Sequence, residues 1–337
     1  MVEPAIESAA RRVEVAARRV EVAAGVELHV EDLRPATVHP DGPPVVLVHG
    51  IAGTTADWAR VAPDLAATRR VIAYDQRGHG ASDRADGRSS YTFDLLLTDL
   101  LALLDTLGLT AVDLIGHSMG GVVALRCALE HPGRVRSLVL VDTAAAPAAA
   151  TGGVARRVVS ALLEGAAAVS SAVHAARDPA PTTEATTETS AAEATTGEGR
   201  RAVGGQGAPA IVDEPVRSVH AGGSAADRAL AGFDQLDPEA LVALGRELGA
   251  YPSMVDRLGE IACPATVVVG EHDTTLRASA AALAQGIPAA HLAVIADADH
   301  SPHASRPLAW LAAVDVHFGR LAAPRVPGRP EPLPDQT

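Results

Sequence analysis

The sequence has no lysine, only two cysteines and few aromatic residues. Its 337 residues include 3 Tyr, 3 Phe and 2 Trp, and all 28 basic residues are Arg. The lack of lysine excludes a catalytic lysine, such as a Schiff-base nucleophile. Cys127 and Cys263 are far apart and belong to no CxxC motif. They therefore exclude a disulfide framework and favour a reducing compartment.

Long hydrophobic runs and clusters of positive charge are also missing. The net charge is −13, and no run of Arg exceeds a pair, which argues against a nucleic-acid partner. Residues 1–22 lack the continuous apolar segment of a secretory signal. The most apolar stretch, 158–176, contains Glu164 and His174 and predicts a covering helix rather than a membrane span. We therefore expect a cytoplasmic protein without a membrane span.

Short apolar runs alternate with helix-like segments through most of the chain. The strand-like runs are 26–33, 45–49, 71–74, 112–115, 138–141, 266–269 and 291–295. The helix-like segments are 55–67, 92–107, 119–130, 225–248, 276–285 and 307–318. This alternation predicts an α/β fold with a mostly parallel sheet covered by helices on both faces.

Composition divides the chain into a core in two parts, an insertion and two tails. The parts are an N-terminal extension over 1–24, a first core segment over 25–145, a cap insertion over 146–258, a second core segment over 259–320 and a C-terminal tail over 321–337. Residues 178–214 within the insertion consist mostly of Thr, Glu, Ala and Gly. They have little to bury, which predicts disorder.

The strongest chemical signal is the pentapeptide Gly116-His117-Ser118-Met119-Gly120. It follows an apolar strand and opens a helix, so Ser118 is predicted to lie on a tight strand-to-helix turn. The helix start directs unpaired N–H groups toward that turn. The alternative interpretation is a Gly-rich turn that carries a serine by accident, and the flanking strand and helix disfavour it.

A serine nucleophile needs an oxyanion hole, and the turn at 49–53 is a candidate for one donor. The residues His49-Gly50-Ile51-Ala52-Gly53 directly follow a strand. The backbone N–H of Ile51 and that of Met119, just after the nucleophile, are the two expected donors. The alternative is that Gly50 and Gly53 only form the turn.

The base and the acid are expected at the carboxyl ends of later strands, where sites of α/β sheets form. His300 follows the strand at 291–295, and His303 is the nearby alternative. Asp273 follows the strand at 266–269, and Asp142, after 138–141, is the alternative acid. The His-x-x-His pattern with neighbouring Asp could suggest a metal, but no third ligand set with recognised spacing accompanies it, so we expect no metal.

Four separated blocks together resemble the α/β-hydrolase fold family, in particular its members with a cap inserted after the sixth strand. They are HGIAG (49–53), DQRGHGASD (75–83), GHSMGG (116–121), and GEHD (270–273) with DHSPHASRP (299–307). The resemblance covers 25–145 and 259–320. It implies an eight-stranded sheet, Ser118 as nucleophile, His300 as base, Asp273 as acid and no cofactor. The block at 75–80 resembles a structural turn, in which Asp75 and Arg77 pair with backbone or with each other.

The resemblance implies a serine hydrolase of the carboxylesterase type, acting on a small acyl substrate by way of an acyl-enzyme. A lactonase, a thioesterase, a C–C bond hydrolase and a cofactor-free haloperoxidase or perhydrolase remain open, as does a ligand-binding protein with slow turnover. The candidate pocket residues are Trp58, Tyr251 and Met254. Because Phe233 and Tyr251 are the only aromatic residues of the insertion, we expect an aliphatic cover.

Overall fold

A computed structural model describes residues 13–35, 42–147 and 235–322 of the chain. Eight strands form one sheet in the order β1-β2-β4-β3-β5-β6-β7-β8. Their bounds are β1 Val13–Ala23, β2 Val26–Pro35, β3 Val45–Val48, β4 Val71–Tyr74, β5 Val112–His117, β6 Val135–Val141, β7 Ala265–Gly270 and β8 His291–Ile295. The first two pairings, β1 with β2 and β2 with β4, are antiparallel, and all the others are parallel. The predicted α/β architecture with a mostly parallel sheet is confirmed.

Helices cover both faces of this sheet. They are α1 Ala62–Ala66, α2 Phe93–Thr106, α3 Met119–Glu130, α4 Pro238–Leu248, α5 Arg277–Gly286, α6 Pro302–Ser305 and α7 Pro307–Ala322. One core cluster combines side chains of α2 to α5 with one face of the sheet, and a second combines α1 and α7 with the other face. Strands β3, β4, β5 and β7 are buried at every position, and this burial on two faces explains why β3 and β4 are apolar throughout without alternation. None of the helices in the described ranges is long and apolar enough to cross a lipid bilayer.

The N-terminal boundary predicted at residue 25 needs a correction, because Val13–Ala23 is the edge strand β1. It pairs with β2 over nearly its whole length, and Gly25 turns the hairpin with a left-handed φ of 73°. Most of β1 is exposed, and Val20 is its one buried side chain. The sequence ARRVEVA occurs at 10–16 and again at 17–23, and the second copy lies wholly in β1. A strand pairing cannot be identified from such a short repeat alone.

Two predicted helices also differ from the structure. The segment at 55–67 is divided into a 3-10 turn, Thr55–Trp58, and the short helix α1, whose second residue is Pro63. Of the helix predicted at 225–248, the described part is α4, which Asp237 caps by accepting a hydrogen bond from the Glu239 N–H. Helix α4 packs on the core although it belongs to the predicted insertion. The segment 178–214 lies outside the described residues.

The turn after β4 has the structural role predicted for it. The carboxylate of Asp75 accepts hydrogen bonds from the backbone N–H groups of Thr55, at 2.7 Å, and Ala81, at 2.9 Å. Arg77 does not pair with Asp75. Its guanidinium forms a buried two-pronged ion pair with Asp99 of α2 and also donates to the carbonyl of Ser90. The turn is therefore fastened to the helix layer as well as to the sheet.

We expect Arg77→Met to lower the free energy of unfolding by about 3–5 kcal/mol, because it leaves the Asp99 carboxylate buried without its partner. Arg88→Met is the matched control. It removes an ion pair with Glu239 whose side chains are both 48% exposed, and such pairs contribute about 0–1 kcal/mol. Denaturant unfolding of both variants measures the difference. Equal losses would contradict the assignment of the Arg77 pair as the buried anchor of the turn.

Candidate active site

The carboxyl ends of β3, β5, β6, β7 and β8 carry the residues singled out in the sequence. Ser118 stands between β5 and α3 with φ 50° and ψ −116°, a left-handed conformation that is rare for residues other than glycine. Its N–H donates to the carbonyl of Val141, the last residue of β6. The predicted tight strand-to-helix turn is therefore present at Ser118.

Glycines around Ser118 allow the chain to reverse in so little space. A Cβ at Gly116 would lie 2.4 Å from the carbonyl oxygen of Gly120, and one at Gly120 would lie 2.3 Å from that of Val48. A Cβ at Gly121 would lie 2.6 Å from the side chain of Thr143. Side chains are therefore excluded at Gly116 and Gly120, where the contacts are to backbone, and one at Gly121 would displace Thr143, whose Cβ is itself only 2.6 Å away.

His300 connects Ser118 with Asp273 through two hydrogen bonds. Its Nε2 lies 3.0 Å from the Ser118 Oγ, and its Nδ1 lies 2.6 Å from the Asp273 Oδ2. Because a carboxylate only accepts, Nδ1 carries the proton, and Nε2 is then free to accept from the Ser118 hydroxyl. The imidazole is thus oriented with its lone pair toward the serine, as a general base requires.

Asp273 is held in place and in its ionised form. It is 7% exposed, and its Oδ1 accepts a hydrogen bond from the Leu276 N–H at 3.1 Å. Burial raises the pKa of Asp273, but the hydrogen bond and charge of His300, with smaller contributions from Leu276 and Asp142, outweigh it, so that the pKa is lowered overall. The alternative acid Asp142 is not the partner of His300 Nδ1.

The two expected oxyanion donors belong to chain segments next to the serine. A Cβ at Gly50 would lie 3.1 Å from the Ser118 Cβ, so the peptide that leads to Ile51 passes close to the serine. Met119 is the first residue of α3. In the part of the chain that the structure describes, neither the Ile51 nor the Met119 N–H donates a hydrogen bond. Both groups are available to a bound oxygen atom.

A contact of His117 was not predicted from the sequence. Its Nε2 donates to the carbonyl oxygen of His300 at 2.8 Å and so connects the turn at Ser118 with the loop that carries the base. Burial lowers the pKa of His117 well below its usual value, so the ring is neutral. Its place beside Ser118 was visible in the sequence, but no local pattern indicates a contact with a residue 183 positions later.

His303, the alternative base, is a core residue. It is 1% exposed, and its ring lies 4.5 Å from that of Trp58 and 6.2 Å from that of Trp310. The hydrogen bonds to Ser118 and Asp273 belong to His300 instead. The candidate pocket residue Trp58 therefore packs in the core beneath the base loop.

The other two pocket candidates, Tyr251 and Met254, belong to the opposite core cluster. The Tyr251 hydroxyl donates to the carbonyl of Ala144, and the Met254 N–H donates to that of Ala145. Both side chains are buried, at 7% and 6% exposure. They brace the segment after β6, and a role in binding substrate stays a prediction.

Within residues 13–35, 42–147 and 235–322, two groups of side chains bring metal-ligating atoms within 4.8 Å of one another. The first, Asp142, Asp273 and His300, includes the hydrogen-bonded acid and base just described. The second, Glu271, His272 and Asp297, is exposed, and its atoms have other partners: Glu271 accepts from the Asp297 N–H, and the Asp297 carboxylate pairs with Arg306. Neither group is a dedicated ligand set like those of structural metal sites.

Comparison with known proteins decides the family. The sequence model described as alpha/beta hydrolase fold matches residues 43–307, most of the chain. The chain belongs to the alpha/beta hydrolase fold family. The sequence resemblance stated above is thereby confirmed.

Individual relatives of this alpha/beta hydrolase carry several activities in their names. It is 48% identical over 103 residues to the dihydrolipoyllysine-residue acetyltransferase component of the acetoin cleaving system of Pseudomonas putida, covering 31% of this chain and 27% of that protein. It is 44% identical over 107 residues to the 2-hydroxymuconate semialdehyde hydrolase of Pseudomonas sp. strain CF600, covering 31% and 37%. The chain thus matches about a third of the length of these relatives.

Solved structures agree on the fold over a longer span. The enol-lactonase from Burkholderia xenovorans LB400 superposes with a TM-score of 0.64 at 24% identity, covering 90% of this chain and all of that one. At this identity the likeness shows the fold alone. It supports an alpha/beta hydrolase without deciding which bond is cleaved.

We expect Gly120→Ala to destabilise this alpha/beta hydrolase by about 1–3 kcal/mol, the usual cost of forcing a methyl group into a packed site. The clash with the Val48 carbonyl displaces α3 from β3 and with it the turn at Ser118. Gly133→Ala is the control, since a Cβ there meets nothing within 4 Å, and we expect a change within about 0.5 kcal/mol. Denaturant unfolding measures both, and equal stability of the two variants would contradict the close contact.

Proposed function

We propose that this alpha/beta hydrolase is a serine hydrolase that cleaves small to medium carboxylic esters, lactones or thioesters through an acyl-enzyme on Ser118. The observation that carries the proposal is the hydrogen-bonded chain from Ser118 Oγ through His300 to Asp273. A nucleophile, a base and an orienting acid in this arrangement define the triad chemistry of acyl transfer.

In the first step His300 Nε2 takes the proton of Ser118 as its Oγ attacks the acyl carbonyl carbon. The ionised Asp273 stabilises the imidazolium that forms and keeps its second N–H directed away from the serine. The negative charge that develops on the carbonyl oxygen is received by the N–H groups of Ile51 and Met119. Loss of one such donor typically costs about 10²–10³ in rate.

In the second step His300 gives its proton to the leaving group, and the tetrahedral intermediate collapses to the acyl-enzyme. A water molecule, activated by the same nitrogen, then attacks the ester carbon on Ser118 and releases the acid. These steps use only protein groups and water, so we propose a small acyl compound as the partner and no cofactor. The cytoplasmic location stays a prediction from the sequence.

The second candidate is hydrolysis of a carbon–carbon bond next to a carbonyl group. It is supported by the 44% identity to a 2-hydroxymuconate semialdehyde hydrolase. The same three residues serve that reaction, because the bond that breaks also lies beside an attacked carbonyl. His117 beside the nucleophile favours esters, since C–C hydrolases of this fold often have another residue there.

We expect Ser118→Ala to abolish ester hydrolysis and covalent labelling by a fluorophosphonate probe, because no other group replaces the Oγ. Ser279→Ala, in α5 and away from the turn, is the matched control and should keep full activity. The measurements are turnover of p-nitrophenyl esters of increasing chain length and mass spectrometry of the labelled protein. Labelling of the Ser118→Ala variant at full stoichiometry would refute the assignment.

A substrate panel separates the candidates. Wild type is assayed with the ester series, a lactone, a thioester, a ring-cleavage dienoate, and bromide with peroxide and acetate. We expect the largest kcat/KM on an ester, lactone or thioester. A preference for the dienoate by more than tenfold would favour the C–C hydrolase, bromination would favour the perhydrolase alternative, and tight binding without turnover would favour a ligand-binding protein.

A further inference from the structure

We propose that Asp142 is a positioning residue of this site: it is a neutral carboxylic acid that donates a hydrogen bond to the carboxylate of Asp273. The two side chains then present a single negative charge to His300. The catalytic part of this inference rests on the proposed function, whereas the protonation of Asp142 can be tested without any substrate.

The backbone and one oxygen of Asp142 are anchored to β7, the strand that leads to Asp273. Asp142 is fully buried, and its N–H donates to the carbonyl of Val268 at 2.9 Å. Its Oδ1 accepts from the Gly270 N–H at 3.0 Å. Its φ of 42° is left-handed, a conformation that Asp and Asn tolerate better than most residues. The side chain is therefore held toward the acid loop.

The second oxygen of Asp142, Oδ2, is the atom on which we place the proton. Oδ2 is buried and has no hydrogen-bond partner among the residues that the structure describes. Carboxylate oxygens of Asp142 and Asp273 and a ring nitrogen of His300 lie within 4.8 Å of one another. A carboxylate raises the pKa of a second carboxylate beside it, so one of the two is expected to hold a proton that the other can accept.

The surroundings decide which of the two holds it. Asp273 accepts hydrogen bonds from His300 and from Leu276, and both favour its ionised form. From the described part of the chain, the Asp142 carboxylate accepts one hydrogen bond, from the Gly270 N–H. The charged groups that bear on Asp142 are Asp273 and Asp299, which are negative, with His300 in the same cluster. Burial above all, followed by the two carboxylates, raises the pKa of Asp142 to about 9, although Gly270 lowers it.

The proposed hydrogen bond has a consequence for His300. It fixes the Asp273 side chain in its place, so that Oδ2 stays directed at Nδ1. It also keeps the pair at one negative charge. A second charge would stabilise the protonated imidazole and withhold the base from Ser118.

The first test is the pH dependence of stability in Asp142→Asn. Asn keeps the left-handed backbone, accepts from Gly270 and can donate to Asp273, but it does not titrate. Burial raises the pKa of Asp142 to about 9 in the folded state, whereas an unfolded Asp loses its proton near pH 4. In that window the wild type is progressively destabilised as the pH rises. We therefore expect the unfolding equilibrium constant of the wild type, divided by that of the variant, to rise by up to about tenfold per pH unit between pH 4 and 9. Above pH 9 this ratio should level off.

A spectroscopic readout tests the same proton independently. At pH 7 the infrared spectrum of the wild type should contain a C=O stretch of a buried neutral carboxylic acid that is lost in Asp142→Asn. A flat stability difference between pH 4 and 9, or a spectrum without this band, would overturn the proposal. Neither result would bear on ester hydrolysis.

Kinetics on the best ester tests the positioning role. We expect Asp142→Asn to keep kcat within about threefold near pH 7, and Asp142→Leu, which cannot donate, to lose about 10–100-fold in kcat at unchanged KM, the usual effect of one hydrogen bond to a charged group. Asp273→Asn should lose about 10⁴-fold. If Asp142→Asn loses as much as Asp273→Asn, Asp142 is the ionised acid and the proposal is wrong. Should Asp142→Leu fail to fold, the Asn variant and its infrared band still decide.

Discussion

The left-handed backbone at Ser118 is the constraint on which the rest of the site depends. A residue with a side chain adopts φ 50° only where its surroundings over-determine the conformation. Here a fully buried strand leads into the turn, a helix begins directly after it, and the glycines at 116 and 120 touch backbone that cannot move. The backbone conformation of this one residue places Ser118 at the end of β5, directly before the first N–H groups of α3.

Hydrogen bonds connect three further loops with this turn, two of them directly and the third through the loop after β6. Thr143, after β6, donates to the carbonyl of Ser118 at 2.7 Å, and His117 donates to that of His300. Asp142 accepts from Gly270 at the end of β7. The serine, the base and the acid therefore do not rely on long flexible loops for their relative positions. Short parallel strands ending at one edge supply the framework, and a few buried polar contacts remove the remaining freedom.

Three buried titratable groups near the site, His117, His49 and Asp142, have pKa values shifted toward their neutral forms. Burial lowers the pKa of His117 and His49 far below the usual range and raises that of Asp142. Ionised groups remain only where hydrogen bonds compensate for lost water, as at Asp273. A single charge next to His300 suits a base that must gain and lose one proton in each turnover. Proteins with different named activities resemble this chain, so the fold does not by itself decide which bond is cleaved.

Much of this molecule could be predicted from the sequence because the relevant signals are local. Buried parallel strands are apolar runs, tight turns need glycine, and loops at strand ends carry the chemistry, so the fold class and the places of Ser118, His300 and Asp273 could be inferred. Contacts between residues that are distant in the chain could be found only from the tertiary structure. Strand order and register bring together residues that no local pattern relates. They place β1 in the sheet, Arg77 against Asp99, His117 against the His300 loop and Asp142 near Asp273.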